Sequence, residues 1–289
     1  MRDKICLVTG ATSGIGAATA LGLARLGASV VIIGRRADKC ERAVRNLRRK
    51  TGNKSVAFLV ADLSTQKDIR RIAQEFKQRY GFLDVLVNNA GGYFYTRELS
   101  ADRLEMTFAL NHLAYFLLTH LLMPSLLASP SSRVVNVASR DHRSARIDFD
   151  DLLAEKHYDR HKAYEQSKLA NILFTYELAR RKGPRPTVNA LCPGLVRTNL
   201  GANNGWLRKK IVNLISRDRL SANEGADTSV YLASSPEVAE ITGRYFIGRK
   251  ETPSSDASYD QQVAERLWAV SETLTNVSCA PEPRHGAIS

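Results

Sequence analysis

Lys4-Ile5-Cys6-Leu7-Val8-Thr9-Gly10-Ala11-Thr12-Ser13-Gly14-Ile15-Gly16 is the stretch whose reading decides the fold. Residues 4–9 form a short apolar run suited to a buried strand. A helical pattern follows Gly16 and continues through Leu26. A strand, a glycine-rich turn and a helix together make a phosphate site. Glycines let the backbone approach a pyrophosphate, and the helix N-terminus supplies unpaired N–H groups and a partial positive charge. Gly10, Thr12, Ser13, Gly14, Ile15 and Gly16 are therefore the candidate phosphate-binding residues. The spacing is Gly-x-x-x-Gly-x-Gly rather than Gly-x-Gly-x-x-Gly, and the placement between strand and helix carries the reading. A tight turn without a ligand is the bland alternative.

Outward from this stretch, apolar runs alternate with longer helical patterns. Strands are predicted near Ile5–Thr9, Ser29–Ile33, Val56–Val60, Val85–Asn88, Arg133–Val137, Thr187–Leu191 and Arg244–Ile247. The alternation argues for an α/β fold, a doubly wound parallel sheet of Rossmann type with seven strands and helices on both faces. Its 289 residues suit one domain over 1–275, with a tail at 276–289 rich in Pro and Gly that is expected to fray. The first strand begins within four residues of Met1, which leaves no room for a signal peptide or N-terminal membrane anchor. The apolar stretch Leu113–Leu127 carries His120 and Pro124 and reads as a core helix. Cys6, Cys40, Cys192 and Cys279 have no paired spacing, so neither a disulfide framework nor a metal site is expected.

A second feature carries chemistry. In Tyr164-Glu165-Gln166-Ser167-Lys168 the tyrosine and lysine are one turn apart on a predicted helix from Arg160 to Arg181, so their side chains share a face. A free phenol has a pKa of about 10. A nearby ammonium favours the phenolate and lowers that value. A phenol tuned in this way can give a proton to a developing alkoxide or take one from an alcohol.

With these two features in place, the chain resembles the short-chain dehydrogenase/reductase family from about Lys4 to Leu274. Thr9 to Gly16 matches the family's cofactor turn, and Asp62-Leu63 matches its acidic position after the third strand, facing the adenine. Asn88-Asn89-Ala90-Gly91 matches the motif after the fourth strand, which places Asn89, Ala90 and Gly91 at the cofactor. Pro193-Gly194, with Val196 and Thr198, matches the segment over the nicotinamide. The resemblance implies a catalytic tetrad of Asn111, Ser139, Tyr164 and Lys168. In it Ser139 holds the substrate oxygen and Asn111 fixes a water beside Lys168. Lys168, like Tyr164, would also contact the cofactor. The long interval between Ser139 and Tyr164, the run Asn111 to Thr119, the run Tyr164 to Phe174 and the late segment Ala264 to Thr275 are similar to the retinol dehydrogenase-like branch. The resemblance implies an oxidoreductase that interconverts an aldehyde or ketone and its alcohol.

The net charge of +13 is concentrated early. Residues 35–50 hold Arg35, Arg36, Lys39, Arg42, Arg45, Arg48, Arg49 and Lys50 against Asp38 and Glu41. Most read as a solvated helix face. Arg35 and Arg36 follow the second strand directly, where a dinucleotide fold meets the adenosine ribose. A guanidinium there suits a 2′-phosphate, and no carboxylate stands at Gly34, Arg35 or Arg36 to repel it. NADP(H) is the expected cofactor. Helix-turn-helix, RNA-platform and zinc-finger patterns are absent from the sequence, so nucleic-acid binding is not expected.

The substrate walls are expected at Tyr93, Phe94 and Tyr95 and along an amphipathic lid near 203–216 that includes Trp206. These imply a bulky apolar carbonyl or alcohol, with a polar group read instead by His142, Arg143 and Arg146 as the alternative. A cytoplasmic enzyme is expected, with peripheral membrane contact through the basic surface left open. The apolar residues Leu169, Ile172, Leu173, Phe174 and Leu178 around the Tyr164 helix suggest a homodimer. A catalytically idle nucleotide sensor or a membrane-peripheral protein on the same fold is the alternative to an enzyme.

Overall fold

The computed structural model describes residues 1–183, 185–196 and 220–277. Its strands are β1 (Ile5–Thr9), β2 (Ser29–Gly34), β3 (Val56–Val60), β4 (Val85–Asn88), β5 (Arg133–Val137), β6 (Thr187–Cys192), β7 (Arg244–Ile247) and β8 (Lys250–Glu251). They form one sheet in the order β3-β2-β1-β4-β5-β6-β7-β8. The first seven run parallel, and the two-residue β8 turns back antiparallel on β7. The expected seven strands are thus present, with an eighth too short to leave a periodicity signal.

The helices are α1 (Gly14–Arg25), α2 (Ala37–Thr51), α3 (Gln66–Arg79), α4 (Met106–Leu127), α5 (Arg160–Lys182), α6 (Ala222–Ser234) and α7 (Gln261–Thr275). They cover both faces, which is why the strands are nearly continuous apolar runs. Alternate residues feed two cores. Cys6, Val8, Val30 and Ile32 pack toward α1, α2 and α6, while Leu7, Val31 and Ile33 pack toward α3, α4 and α5. Helix α4 is long and apolar enough to cross a bilayer, but most of it is buried inside the protein, as a core helix requires.

Helix α7 decides what α4 and α5 can do. Trp268 lies 5.0 Å from the Phe116 ring of α4 and 5.9 Å from the Phe174 ring of α5. The Arg181 guanidinium sits 4.5 Å over the same indole, a cation–π contact. Buried His112 bonds Ser271 Oγ at 2.9 Å. Ser271 Oγ donates to Leu267 O, so His112 Nε2 is the donor. With α7 in place, Leu169, Ile172, Leu173, Phe174 and Leu178 are all at most 3% exposed. The homodimer suggested by those residues has no apolar face left to use, because their own chain covers it. Asn276 and Val277, assigned to the tail by sequence, belong to the end of α7: Val277 N donates to Glu272 O, and its side chain packs on the core.

Trp268→Ala removes the indole that joins α7 to α4 and α5. It should cost about 3–5 kcal/mol of stability, the usual loss for a large buried aromatic, read from the urea midpoint. A loss below about 1 kcal/mol would show that α7 is only loosely docked.

Candidate active site

The candidate residues gather where the sheet order reverses, between β1 and β4, the place where open α/β sheets bind ligands. Thr9, the last residue of β1, ties the two strand ends together. Its hydroxyl accepts from Asn89 N at 2.8 Å and Ala90 N at 2.9 Å, while Asn89 Nδ2 donates to Thr9 O at 2.9 Å. The glycines are required by this closeness. A Cβ on Gly10 would meet Ala90 Cα at 2.9 Å, and one on Gly16 would meet Asn89 Nδ2 at 2.5 Å.

Gly14 is different. Its φ is +57°, and an added Cβ would have nothing within 4 Å. It faces open space at the start of α1. Ser13, the N-cap, makes no side-chain capping bond, and no acidic residue stands in the first turn. The helix therefore offers uncapped N–H groups and its dipole to an anion, so this donor set fits the pyrophosphate of a dinucleotide. Thr12 packs on the end of β2: a Cβ on Gly34 would strike Thr12 Cγ2 at 2.4 Å.

Arg35 and Arg36 follow at once, both exposed. An acid does stand close by, since Asp38 takes Arg36 Nε and NH2 at 2.9 Å each and Arg42 NH2 at 2.7 Å. The guanidinium of Arg36 holds that carboxyl down at about 2. Further along, Asp62 Oδ1 accepts from Ser64 N and Oγ at 3.0 and 2.7 Å, and Leu63 is buried.

Asn111 lies in a π-helical turn, Ala109–Leu113, within α4. Such turns widen the helix and recur at functional sites. The Asn111 amide makes three hydrogen bonds. Its Oδ1 accepts from Gly92 N at 2.8 Å, and its Nδ2 donates to Gly92 O and Ser167 Oγ, both at 3.0 Å. The side chain thus clamps the segment after β4 to α5. Gly91 sits against the same group: a Cβ there would lie 3.2 Å from Asn111 Oδ1 and 3.7 Å from Lys168 Nζ.

Tyr164 and Lys168 share the face of α5 that meets β5. Lys168 Nζ donates to Val137 O at 3.2 Å and stands 5.5 Å from the Tyr164 ring centre. Burial pushes the Lys168 ammonium down to about 8. It also pushes the Tyr164 phenol well above its ordinary value; a hydrogen bond from Ser139 opposes the rise, and the Asp141 carboxylate adds to it. The phenol thus lies above its ordinary value rather than below it, because its own desolvation dominates.

Ser139 follows the last β5 residues, and its hydroxyl also accepts from Asp141 N at 3.3 Å. His142, read from sequence as a substrate contact, is fully buried instead. Arg143 donates to Pro253 O, and Arg146 is exposed. Tyr93 stands beside Tyr164, ring centres 5.4 Å apart, with its hydroxyl 2.9 Å from His161 Nδ1. Phe94 is turned inward, 5% exposed, so close to Gly92 that a Cβ there would lie 2.8 Å from its ring. Tyr95 completes an edge-on pair with Tyr93. Pro193 and Gly194 lead to Val196, which is buried against Gly225 and pairs with Leu220. Thr198, Trp206 and the lid near 203–216 lie outside the described residues.

Sequence reading missed a buried polar ladder directly behind the site. Asn88 Nδ2 donates to Thr119 Oγ1 and Asn136 Oδ1, both at 2.9 Å, and Asn136 Nδ2 donates to Thr175 Oγ1 at 3.0 Å. Asparagines inside otherwise apolar strands were the available signal.

Comparison with known proteins agrees with this geometry. A family model described as short chain dehydrogenase matches residues 4–206. Human retinol dehydrogenase 14 is 43% identical over 96% of this chain and 88% of its own length. Human retinol dehydrogenase 13 is 40% identical, covering 97% and 87%, and human polyprenol dehydrogenase 39%, covering 95% and 86%. A crystal structure of an uncharacterized Mycobacterium paratuberculosis protein superposes with a TM-score of 0.78 at 34% identity, covering 96% of this chain and 95% of that one. A short chain dehydrogenase from Escherichia coli CFT073, complexed with NADPH, superposes at 0.69 with 25% identity, covering 86% and 98%.

The low Lys168 value makes folding pH-dependent. Below about 8 the protein buries a cation, and that cost is relieved as pH rises toward the roughly 10.4 of a free lysine. Lys168→Met carries no such cost. Its melting temperature relative to the wild type should therefore be most favourable near pH 7 and lose ground as pH is raised to 10. A constant difference across that range would mean that Lys168 is not strained by burial.

Proposed function

The chain belongs to the short-chain dehydrogenase/reductase family, in its retinol dehydrogenase-like branch, and from that premise we propose an NADP(H)-dependent oxidoreductase that interconverts a bulky apolar aldehyde or ketone and its alcohol. The observation that carries this reading is the meeting of Tyr164, Lys168, Ser139 and Asn111 with Gly91 at the reversal point of the sheet. The glycine turn with Thr12, Ser13 and Ile15 holds the pyrophosphate. Asp62 and Leu63 face the adenine, Arg35 and Arg36 the 2′-phosphate. Asn89, Ala90 and Gly91 line the ribose side, and Pro193, Gly194 and Val196 cover the nicotinamide. The NADPH complex of a relative supports the choice of cofactor.

When bound, the nicotinamide supplies or accepts a hydride. The chain supplies the rest. Tyr164 Oη gives a proton to the carbonyl oxygen in reduction and takes it back in oxidation. Its raised pKa keeps the phenol protonated, which suits the donor role. Ser139 Oγ holds the substrate oxygen beside that phenol. The Lys168 ammonium opposes the negative charge left on the phenolate after transfer, at a depth where water screens little. Tyr93, whose ring centre lies 5.4 Å from that of Tyr164, lines the substrate side. We place the enzyme in the cytoplasm, working without a metal.

A straight-chain aldehyde series with NADPH tests the reaction. Each added methylene should raise kcat/KM roughly fourfold, from about 0.8 kcal/mol of burial, until the channel is full. Tyr164→Phe should lower kcat on decanal by roughly 10²–10⁴-fold while leaving NADPH binding nearly intact. Wild-type turnover in Tyr164→Phe would overturn the assignment.

The two arginines should differ. Arg35 is exposed and ready, whereas the Arg36 fork must first leave Asp38. Charge-assisted bonds contribute about 1.5–3 kcal/mol, so Arg35→Ala should raise the NADPH KM about 10-fold or more, Arg36→Ala less, and neither should move the NADH KM. Equal losses with both cofactors would make the pair structural.

A further inference from the structure

Beyond the tetrad, we infer that His142 is a positioning residue for the Ser139 hydroxyl, an inference that rests on the role given to Ser139 above. Both ring nitrogens are committed. His142 Nδ1 lies 2.6 Å from Ser139 O, and a carbonyl only accepts, so Nδ1 carries the hydrogen. His142 Nε2 lies 3.1 Å from Ser255 N, and an amide N–H only donates, so Nε2 is the bare acceptor. The ring is therefore neutral and in one tautomer. It is 0% exposed and meets the Tyr245 ring of β7 edge-on at 5.0 Å.

Ser139 needs such a partner. The sheet ladder ends one residue earlier, where Ala138 N donates to Leu191 O. Past that point the serine leaves the sheet, and the turn at Arg140–Ser144 fixes where its hydroxyl points. His142 anchors that turn to the chain just after β8.

The far anchor is itself tied to the helix that carries Tyr164. Ser254 Oγ is 2.7 Å from Tyr176 Oη on α5 and 2.6 Å from Ser258 Oγ. Ser254 N donates to Tyr259 Oη at 3.1 Å, and the Tyr259 ring stacks on Tyr176 at 5.5 Å. The contacts close a ring: Tyr164 along α5 to Tyr176, across to Ser254 and Ser255, through His142 to Ser139, and back to Tyr164. The spacing between the two hydroxyls is set by that closed path. A displacement of about 1 Å at such a pair can cost on the order of a hundredfold in rate.

The test is a mutant cycle on NADPH-dependent decanal reduction, with kcat and KM measured separately and melting temperature recorded for each protein. His142→Leu keeps bulk and loses both bonds. It should lower kcat about 10- to 100-fold and leave the NADPH KM unchanged. His142→Asn keeps an N–H near the place of Nδ1 and should return kcat to within about fivefold of wild type. His142→Gln reaches toward Ser255 but lacks that donor and should stay low, even where its melting temperature equals that of the Asn variant. In a Ser139→Ala background, His142→Leu should cost less than about twofold more, because the two residues act through one group. Should the Leu variant fail to fold, the Asn–Gln contrast decides. Wild-type kcat in His142→Leu with a collapse in Ser139→Ala would overturn the positioning role alone, as would fully additive losses. Wild-type kcat in Ser139→Ala would overturn the role of Ser139 and the inference together.

Discussion

One threonine hydroxyl joins the two halves of this sheet at the place where its order reverses. Thr9 Oγ1 takes the N–H groups of Asn89 and Ala90 that β4 leaves unpaired as it ends. A parallel sheet has no hydrogen-bonding use for those donors beyond its last residue, and the buried Ala90 N–H would otherwise stand unsatisfied at a cost of about 1–3 kcal/mol. The bond brings the β1 turn so close to Asn89 and Ala90 that Gly10 and Gly16 cannot carry a Cβ. Gly14, by contrast, faces open space. From Gly92, Asn111 continues the connection to Ser167 on α5. Cofactor turn and catalytic helix are thus held by one chain of hydrogen bonds that starts at Thr9.

The site is assembled at an electrostatic cost. Tyr164 and Lys168 both lie in a desolvated pocket, so the phenol is held protonated and the ammonium is weakened. Burying an ammonium whose hydrogen-bond partner among the described residues is a carbonyl opposes folding. The rest of the structure offsets it. Sheet and helices are apolar almost throughout on their inner faces, α7 adds Leu267 and Trp268 to the outer side of α5, and the Asn88–Asn136–Thr175 ladder pairs buried polar groups behind the site. A strained acid–base pair on a rigid frame is the common pattern of trade-off between stability and activity.

Much of this was legible in the sequence. Seven parallel strands stand where the apolar runs predict them, because strands buried on both faces need continuous Val, Ile and Leu. The glycine turn, the Tyr164–Lys168 spacing and the motif at Asn89–Gly91 are local patterns, and local patterns survive in one dimension. What failed was tertiary. The apolar residues of α5 looked unpartnered because the helix that covers them, α7, lies almost a hundred residues later. Asp38 was counted as one acid among eight bases until its geometry placed it on Arg36. His142 looked like a surface histidine in a polar loop, and only the return of the chain after β8 buries it. The sign of the Tyr164 shift depends on how much water the assembled pocket excludes, which no spacing of residues reveals.

The central claim is that the groups gathered at the sheet reversal stage a hydride transfer to an apolar carbonyl. Reduction of decanal with NADPH carrying deuterium at nicotinamide C4 measures this directly, by mass spectrometry of the decanol formed. The account expects one deuterium at C1 of the alcohol, from one face of the labelled cofactor only, and none when the label is in the solvent. Decanol that took its C1 hydrogen from water, or cofactor bound tightly with no label transferred to any aldehyde or ketone, would contradict it.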